Sequence, residues 1–329
     1  MSPGLASLED VCRWAAFPAS APELSPLGPA SCLLVALDGD ADMSQARRWL
    51  RSLPVPVIAI GEEDGATDGC DAVVATLGEA GMLRERIART PIAAAVLVRL
   101  LRATANLDIE SALIAESLAY STLQEGPEYR EWLSLNRAPA PAAHADEGPA
   151  VIVARAGDTL TLELNRPSNR NGMTVEMRDA LIEALQLGAS DDSIGTVRIS
   201  GRGKCFSTGG DLTEFGSAPD PATAHIVRTL ALPGRALAAI ADRAEVHVHG
   251  ACIGSGIEFP AFAGRIIARH NAWFQLPELQ FGLIPGAGGG VSIARRIGRQ
   301  RTAWLVLSGA RIDAPTALQW GLVDAIEGP

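Results

Sequence analysis

The chain has 329 residues, of which 47% are apolar and 20% charged, so it can bury a sizeable core. Its formal net charge is −10, and a field of that sign repels nucleic acids and anionic membrane surfaces. We therefore expect no nucleic acid and no membrane among its partners. An anionic small ligand requires a local cluster of arginine or lysine.

The cysteines are five in number, widely scattered, and without a Cys-x-x-Cys pair. This pattern fits reduced thiols in the cytoplasm better than a disulfide framework or a zinc site. Glu9 and Asp10 precede any basic residue, which is not the order of a secretory signal peptide. No apolar run approaches the roughly 20 residues that span a bilayer. We predict a cytoplasmic protein without a bound metal.

The first part of the chain has a mixed pattern of strands and helices. Strands are predicted at Cys32–Leu37 and Val55–Ile60, with a helix at Ala41–Leu50 between them. Two amphipathic helices are predicted at Pro91–Ala103 and Asp108–Thr122.

A stretch rich in proline and alanine, residues 138–148, is predicted to be a linker. Beyond it strand and helix signals alternate, which argues for a layered α/β domain. The domain begins with a hairpin at Gly157-Asp158 and a helix that Thr174 caps. The further predicted elements are strands at Val197–Ser200, Val246–His249 and Arg265–Ala268, and helices at Pro221–Ala241, Gly289–Ile297, Gln300–Leu307 and Ala314–Trp320.

A faint internal repeat links the two parts. Leu53–Ile60 followed by Cys70–Ala75 echoes Ala244–His249 followed by Gly264–Ala268. The first copy lacks the Gly-Ser-Gly turn and the glutamate that follow the second copy. The N-terminal segment is therefore predicted to be a degenerate partial repeat.

Glycine-rich turns and two glutamates are the candidate chemical groups. The turns are Phe206–Leu212, Gly254–Gly256 and Pro285–Gly290. Two outward backbone N–H groups that point at one atom form an oxyanion hole, although for any one of these loops alone a simple tight turn is the better explanation. Glu258 lies among apolar residues, where burial raises a carboxyl pKa as a proton-transfer group requires. Glu278 alone reads as an ordinary loop acid.

Taken together, these motifs resemble the enoyl-CoA hydratase/isomerase, or crotonase, family over about residues 150–327. The order and spacing match, including the 20 residues that separate the two glutamates. The segments that carry the resemblance are Asn165–Asn171, Phe206–Leu212, Val248–Glu258, Phe274–Glu278, Gly282–Gly288, Leu307–Asp313 and Trp320–Asp324.

The resemblance implies a crotonase-like ββα spiral fold of α/β class and a homo-oligomer, a trimer or hexamer. It implies an oxyanion hole from the backbone N–H groups of Gly210 and Ser255, with Glu258 and Glu278 as catalytic residues. No cofactor is implied, because coenzyme A is part of the acyl-CoA substrate. The implied CoA-binding residues are Arg166, Ser168, Asn169, Arg170, Thr208, Asp211 and Leu212, with Arg202 and Lys204 as further candidate charges.

Two glutamates favour an enoyl-CoA hydratase, which adds water across the 2,3 double bond of an enoyl-CoA thioester. Isomerase, lyase and hydrolase activities of the same family are alternatives, since function depends on the site rather than the fold. A non-catalytic acyl-CoA-binding protein is an alternative of another class. A dinucleotide site at Gly254-x-Gly256 is a further one, although Phe259 occupies the place of its third glycine.

The helical segment before the linker also resembles the family, but at an unexpected place. Residues 89–133 are similar to the C-terminal helical tail of crotonases, which here precedes the core. We predict four regions: a degenerate α/β segment at 1–88, the tail-like helices at 89–137, a linker at 138–149 and the core with the active site at 150–329. The tail-like helices are predicted to cover the acyl site.

Overall fold

The computed structural model describes residues 5–36, 44–62, 65–136 and 146–328, so most of the predicted linker lies outside the described residues. The helices, in chain order, are α1 (Leu8–Ala16), α2 (Ser44–Ser52), α3 (Leu77–Arg89), α4 (Pro91–Thr104), α5 (Ile109–Gln124), α6 (Pro127–Leu135), α7 (Val175–Ser190), α8 (Pro221–Leu230), α9 (Pro233–Ala238), α10 (Ser255–Glu258), α11 (Gly289–Ser308) and α12 (Ala314–Trp320). The strands are β1 (Leu33–Ala36), β2 (Val57–Ile60), β3 (Ala72–Val74), β4 (Val151–Ala156), β5 (Thr159–Leu164), β6 (Thr196–Gly201), β7 (Ala244–Val248), β8 (Ala251–Ile253), β9 (Arg265–Arg269), β10 (Trp273–Gln275), β11 (Ile312–Asp313) and β12 (Ala325–Glu327).

The largest sheet has six strands in the order β12-β9-β7-β6-β5-β4, and all its pairs are parallel except β4 with β5. That antiparallel pair is the hairpin predicted at Gly157-Asp158. A second sheet has the order β11-β10-β8. The helix α7 begins at the predicted cap, because the Thr174 side chain accepts a hydrogen bond from the Met177 N–H. The predicted α/β class is confirmed.

The N-terminal sheet, with parallel strands in the order β1-β2-β3, lies between two apolar clusters. Alternate side chains of a strand point to opposite faces. Leu33 and Val35 accordingly pack in a small N-terminal cluster, whereas Leu34 faces the main core. The strands β2 and β3 pair in parallel, as β7 and β9 do in the second part of the chain. The common origin of these two strand pairs stays a prediction.

Three predicted helices have a different course in the structure. The helix predicted at Pro221–Ala241 is divided into α8 and α9. Pro233 explains the break, because proline has no N–H and disfavours helical geometry at the residue before it. The segments predicted at Gly289–Ile297 and Gln300–Leu307 join as α11, with a kink at Gly298, where φ is +82°.

The helices before the linker pack on the second part of the chain. The helices α3 and α4 contact α11, and α5 lies beside α8. Asp71, at the start of β3, strengthens this junction, because it is 1% exposed and forms ion pairs with Arg102 of α4 and Arg299 of α11. Within the described ranges, no helix combines the length and apolar character needed to cross a membrane.

Candidate active site

Three neighbouring strand ends bring the predicted site together. The strand β8 pairs in parallel with β10, and on its other side Cys252 forms a parallel bridge with Ser207. The carboxyl ends of adjacent parallel strands meet at one edge of a sheet. The turns that follow Ser207, β8 and β10 therefore lie side by side, and they carry Gly210, Ser255 and Glu278.

A cavity of about 850 Å³ opens at this edge. Both predicted oxyanion-hole residues and both predicted glutamates line it. Aromatic and apolar side chains form much of the remaining wall, and they include Tyr120, Tyr129, Phe215, Phe281 and Leu283. The helices α5 and α6 supply the two tyrosines, so the segment before the linker contributes directly to the wall of the cavity.

Glu258 is the last residue of α10 and is 2% exposed. Its Oε2 accepts hydrogen bonds from the N–H groups of Ala287, at 2.8 Å, and Gly289, at 3.0 Å. Burial raises its pKa to about 7, while the hydrogen bonds from these amides oppose that rise. A pKa near neutrality suits a group that transfers protons at physiological pH.

Glu278 follows β10 and is 8% exposed. Its Oε2 is buried and has no hydrogen-bond partner within the residues that the structure describes. Burial, and then the charge of Glu258, raise its pKa well above the ordinary value of a glutamate. Glu278 thus favours the protonated form, which can donate a hydrogen bond or a proton.

The two carboxyl groups converge over Gly254. A Cβ atom at that glycine would lie 2.7 Å from Glu278 Oε1 and 3.8 Å from Glu258 Oε1. Gly254 has φ +50°, a conformation that L side chains rarely adopt. A glycine at this position therefore leaves room for two carboxyl groups at one point of the cavity.

The two backbone N–H groups predicted to form the oxyanion hole are available to a ligand. Among the described residues, neither the Gly210 N–H nor the Ser255 N–H donates a hydrogen bond to the protein. The turn at Gly209 approaches Gly254 closely, because a Cβ atom at Gly209 would lie 2.6 Å from the carbonyl oxygen of Ile253. The two amides thus border the same cavity from adjacent turns.

The predicted CoA-binding residues fall into two groups. Thr208, Asp211 and Leu212 line the cavity. Arg166 is buried and does not line the cavity; its guanidinium pairs with Glu176 and donates to the carbonyl oxygens of Asn165 and Gly148. Such a saturated guanidinium holds the backbone rather than facing solvent.

Ser168, Asn169 and Arg170 form a short turn outside the cavity wall. Arg170 and Lys204 are exposed and have no ion pair within the described part of the chain, and Arg202 pairs with Glu163. Lys204 is the only lysine of the whole sequence. Three further arginines, which the sequence analysis did not single out, line the cavity: Arg178, Arg228 and Arg311.

Glu116 is the buried carboxyl group that the sequence analysis missed. It lies on α5, is 2% exposed, and accepts hydrogen bonds from the N–H groups of Gly288 and Gly290, both at 2.7 Å. Its only sequence signal is an acid on an otherwise apolar helix face, and 172 residues separate it from Gly288.

The described residues do not support a metal site or a dinucleotide site. Over the described ranges, no three histidine, cysteine or acidic side chains form a group that could hold a metal ion. His247 instead lies between Glu245, at 2.6 Å, and Glu327, at 3.0 Å. The turn at Gly254 leads into a helix of four residues, which Pro260 follows, rather than into the long helix of a dinucleotide site.

Comparison with known proteins identifies the family to which the core is similar. A model of the enoyl-CoA hydratase/isomerase family matches residues 156–328. The 2,3-dehydroadipyl-CoA hydratase of Escherichia coli is 35% identical over 176 residues, which are 54% of this chain and 68% of that protein. A trans-2-decenoyl-(acyl-carrier-protein) isomerase of Streptococcus mutans is 31% identical over 167 residues, 50% of this chain and 64% of that protein.

Solved structures agree with this assignment. A crystal structure from Mycobacterium abscessus, of a protein assigned to the enoyl-CoA hydratases/isomerases, is 32% identical, with a TM-score of 0.51 over 54% of this chain and 70% of that one. The predicted crotonase-like fold is thereby confirmed. The chain belongs to the enoyl-CoA hydratase/isomerase family.

Proposed function

We propose that the protein is an enoyl-CoA hydratase, with Glu258 and Glu278 as its acid–base pair and the N–H groups of Gly210 and Ser255 as its oxyanion hole. The observation that carries this proposal is the convergence of both carboxyl groups over Gly254, beside two amides that have no acceptor among the described residues. One cavity thus contains what water addition needs: a base, an acid and two donors for a thioester oxygen.

The environments of the two glutamates assign their roles. Glu258 accepts two backbone N–H groups on Oε2, and these hydrogen bonds favour its anion. Within the described residues Glu278 has no such donor on its buried Oε2, and the nearby charge of Glu258 further raises its pKa, which favours its protonated form. Glu258 is therefore the base that activates water, and Glu278 is the acid. The two groups titrate as a coupled pair.

The reaction balances on these groups. Glu258 takes a proton from water, and the water oxygen bonds to C3 of the enoyl thioester. The electron pair of the double bond moves towards the thioester oxygen, where the amides of Gly210 and Ser255 stabilise the enolate. C2 then takes the proton of Glu278. Proton return from Glu258 to Glu278 through solvent restores the starting state.

Local positive charges can bind the phosphates of coenzyme A although the protein as a whole is acidic. Arg170 and Lys204 are exposed beside the turn that leads to Gly210, and Arg178 and Arg311 line the cavity. Such cations attract the anionic phosphates of coenzyme A, whereas the formal charge of −10 on the whole chain repels them. We further propose a cytoplasmic homo-oligomer, a trimer or hexamer, with no cofactor apart from the coenzyme A of its substrate.

The decisive experiment measures hydration of a panel of 2-enoyl-CoA esters by the wild type and by Glu258→Gln and Glu278→Gln. Each variant is expected to lose about 10²- to 10⁴-fold in kcat, because loss of a general acid or base has that cost. Glu245→Gln is the matched control, since this glutamate lies on β7 and does not line the cavity. Wild-type turnover in both active-site variants would refute the mechanism.

Isomerisation is the second candidate, because the relative from Streptococcus mutans is named as an isomerase. An isomerase moves a proton between C2 and C4 and incorporates no water. The same preparations incubated with 3-enoyl-CoA esters in H₂¹⁸O separate the two reactions by mass spectrometry. Binding of CoA esters without turnover of either substrate would favour a non-catalytic acyl-CoA-binding protein.

A further inference from the structure

Four consecutive backbone amides bind two different carboxyl groups in alternation. The N–H groups of Ala287 and Gly289 donate to Glu258 Oε2, whereas those of Gly288 and Gly290 donate to the two oxygens of Glu116. The turn that holds Glu258 is thus itself held from its opposite side. We call residues 287–290 the amide turn.

The amide turn leaves little room for other arrangements. A Cβ atom at Gly289 would lie 2.6 Å from Glu258 Cγ, and one at Gly290 would lie 2.7 Å from Glu116 Oε2. Gly288 has φ +100° and caps the N-terminus of α11. Because both carboxyl groups contact the glycine backbone directly, a displacement of either one changes the position of the amides that the other uses.

We propose that Glu116 is a positioning residue that fixes the amide turn and thereby the orientation of the Glu258 carboxyl group. This inference rests on the proposed function, in which Glu258 is the base. Glu116 does not line the cavity, so it acts through the amides rather than on the substrate. The tail-like helices consequently contribute to the chemistry of the core as well as to the cavity wall.

The surroundings of Glu116 contain several titratable groups. Glu116 has no ion pair within 4 Å in the described part of the chain. The groups that face it are the amide turn, Glu258 of α10, Glu278 beyond Glu258, and Arg228 of α8. Arg228 lies on the ring of Tyr120 at 4.6 Å and donates to Ser117 and Gln124. His225 contacts the same Ser117 hydroxyl at 2.9 Å.

Burial and then the charge of Glu258 raise the pKa of Glu116 well above its ordinary value, while the two glycine amides oppose the rise. Glu116 and Glu258 therefore compete for one negative charge at the N-terminus of α11. Glutamine at position 116 keeps only one acceptor oxygen, so the amide turn loses a hydrogen-bond partner, and Glu258 in turn loses amide hydrogen bonds that lower its pKa. Shortening the side chain to aspartate keeps the carboxyl group but moves it away from the amides.

The experiment compares Glu116→Gln and Glu116→Asp with the wild type in the full-length protein. Glu116→Gln is expected to lower kcat about tenfold or more with little change in KM, because small misplacements of reacting groups have such costs. The acid limb of its pH–rate profile is expected to move to higher pH, because Glu258 loses amide hydrogen bonds that lower its pKa. Glu116→Asp is expected to lower kcat and to move the acid limb in the same direction, because its shorter side chain no longer reaches the amide turn.

Hydrogen exchange of the amide turn provides a readout that does not depend on activity. Both variants are expected to exchange the amides of residues 287–290 faster than the wild type, with the sheet amides unchanged. Ser121→Ala is the matched control, because Ser121 is a buried polar residue of the same helix that bonds to Pro221 and Arg228 but not to the amide turn. Thermal unfolding of all variants separates general destabilisation from the local effect.

The outcomes distinguish this inference from the proposed function. If exchange at residues 287–290 remains at the wild-type rate in both variants, Glu116 does not fix the turn. If Glu116→Gln loses no more activity than Ser121→Ala and keeps the acid limb of the wild type, the positioning role is likewise refuted. Wild-type turnover in Glu258→Gln would instead refute the proposed base. The exchange data would still test whether the Glu116 hydrogen bonds fix the amide turn.

Discussion

Gly254→Ala separates the requirements of the site from those of the fold. A Cβ atom there would lie 2.7 Å from Glu278 Oε1, whereas ordinary contact begins near 3.4 Å, so the carboxyl group must move by roughly 0.7 Å. A flexible side-chain end moves at little cost in stability, and the stability loss of about 1–3 kcal/mol comes from the positive φ. Because displacements near 1 Å reduce catalysis by about 10²-fold, kcat for 2-enoyl-CoA hydration is expected to fall about 10- to 100-fold.

Gly157→Ala is the matched control for the backbone strain. Gly157 also has positive φ, +63°, but a Cβ atom there would meet nothing within 4 Å. We expect both variants to lower the free energy of unfolding by similar amounts, measured by denaturant titration, and only Gly254→Ala to lose activity beyond that. Full turnover in Gly254→Ala would refute the convergence of the two carboxyl groups at the reacting centre.

The remaining predictions concern pH, ion pairs and coenzyme A. The hydration rate is expected to fall as the pH drops through about 7, because burial raises the pKa of Glu258 to about 7 and the base must be ionised; a rate independent of pH between 5 and 8 would contradict this. A raised carboxyl pKa contributes stability below the unfolded pKa that is lost as pH rises towards the folded pKa, so Glu278→Gln is expected to raise Tm at pH 8 and not at pH 4, as thermal scans will test. Asp71→Ala is expected to cost about 3–5 kcal/mol of unfolding free energy, because it leaves buried arginines unpaired. Its control Asp68→Ala, at an exposed ion pair, is expected to cost about 1 kcal/mol or less of unfolding free energy. Equal losses for the two variants in denaturant titrations would show that the ion pairs of Asp71 do not stabilise the junction. Lys204→Glu is expected to raise KM for CoA esters several-fold at low salt with kcat unchanged, and a KM that does not respond would remove this lysine from the CoA site.

Local signals in the sequence predicted much of the core. Thr174 caps α7, and Gly157-Asp158 turns the first hairpin, because both features depend on neighbours a few residues away. The division between α8 and α9 was also within reach, since Pro233 marks it. The family motifs predicted the glutamates, and the structure adds the parallel strand ends that bring them to one edge.

Contacts between distant segments were beyond such reasoning. Glu116 becomes informative only when its partners at Gly288 and Gly290 are known, and neither spacing nor composition connects them. Arg166 illustrates the opposite case, because its place in a motif suggested a ligand contact. The structure instead pairs its guanidinium with Glu176 and two backbone carbonyl groups. A charged residue in a sequence motif therefore does not reveal whether its side chain contacts a ligand or the protein itself.

The position of the tail-like helices in the chain follows the same logic. A packed interface depends on which faces meet, and the entropy cost of joining them grows only slowly with the length of the connection. Helices that precede the core can thus cover its cavity as effectively as helices that follow it, provided that the same faces meet. In this protein α5 places Tyr120 in the cavity wall and Glu116 on the amide turn. The ion pairs of Asp71 with α4 and α11 connect the N-terminal sheet to these helices, so the sheet helps to hold the tail-like helices on the core.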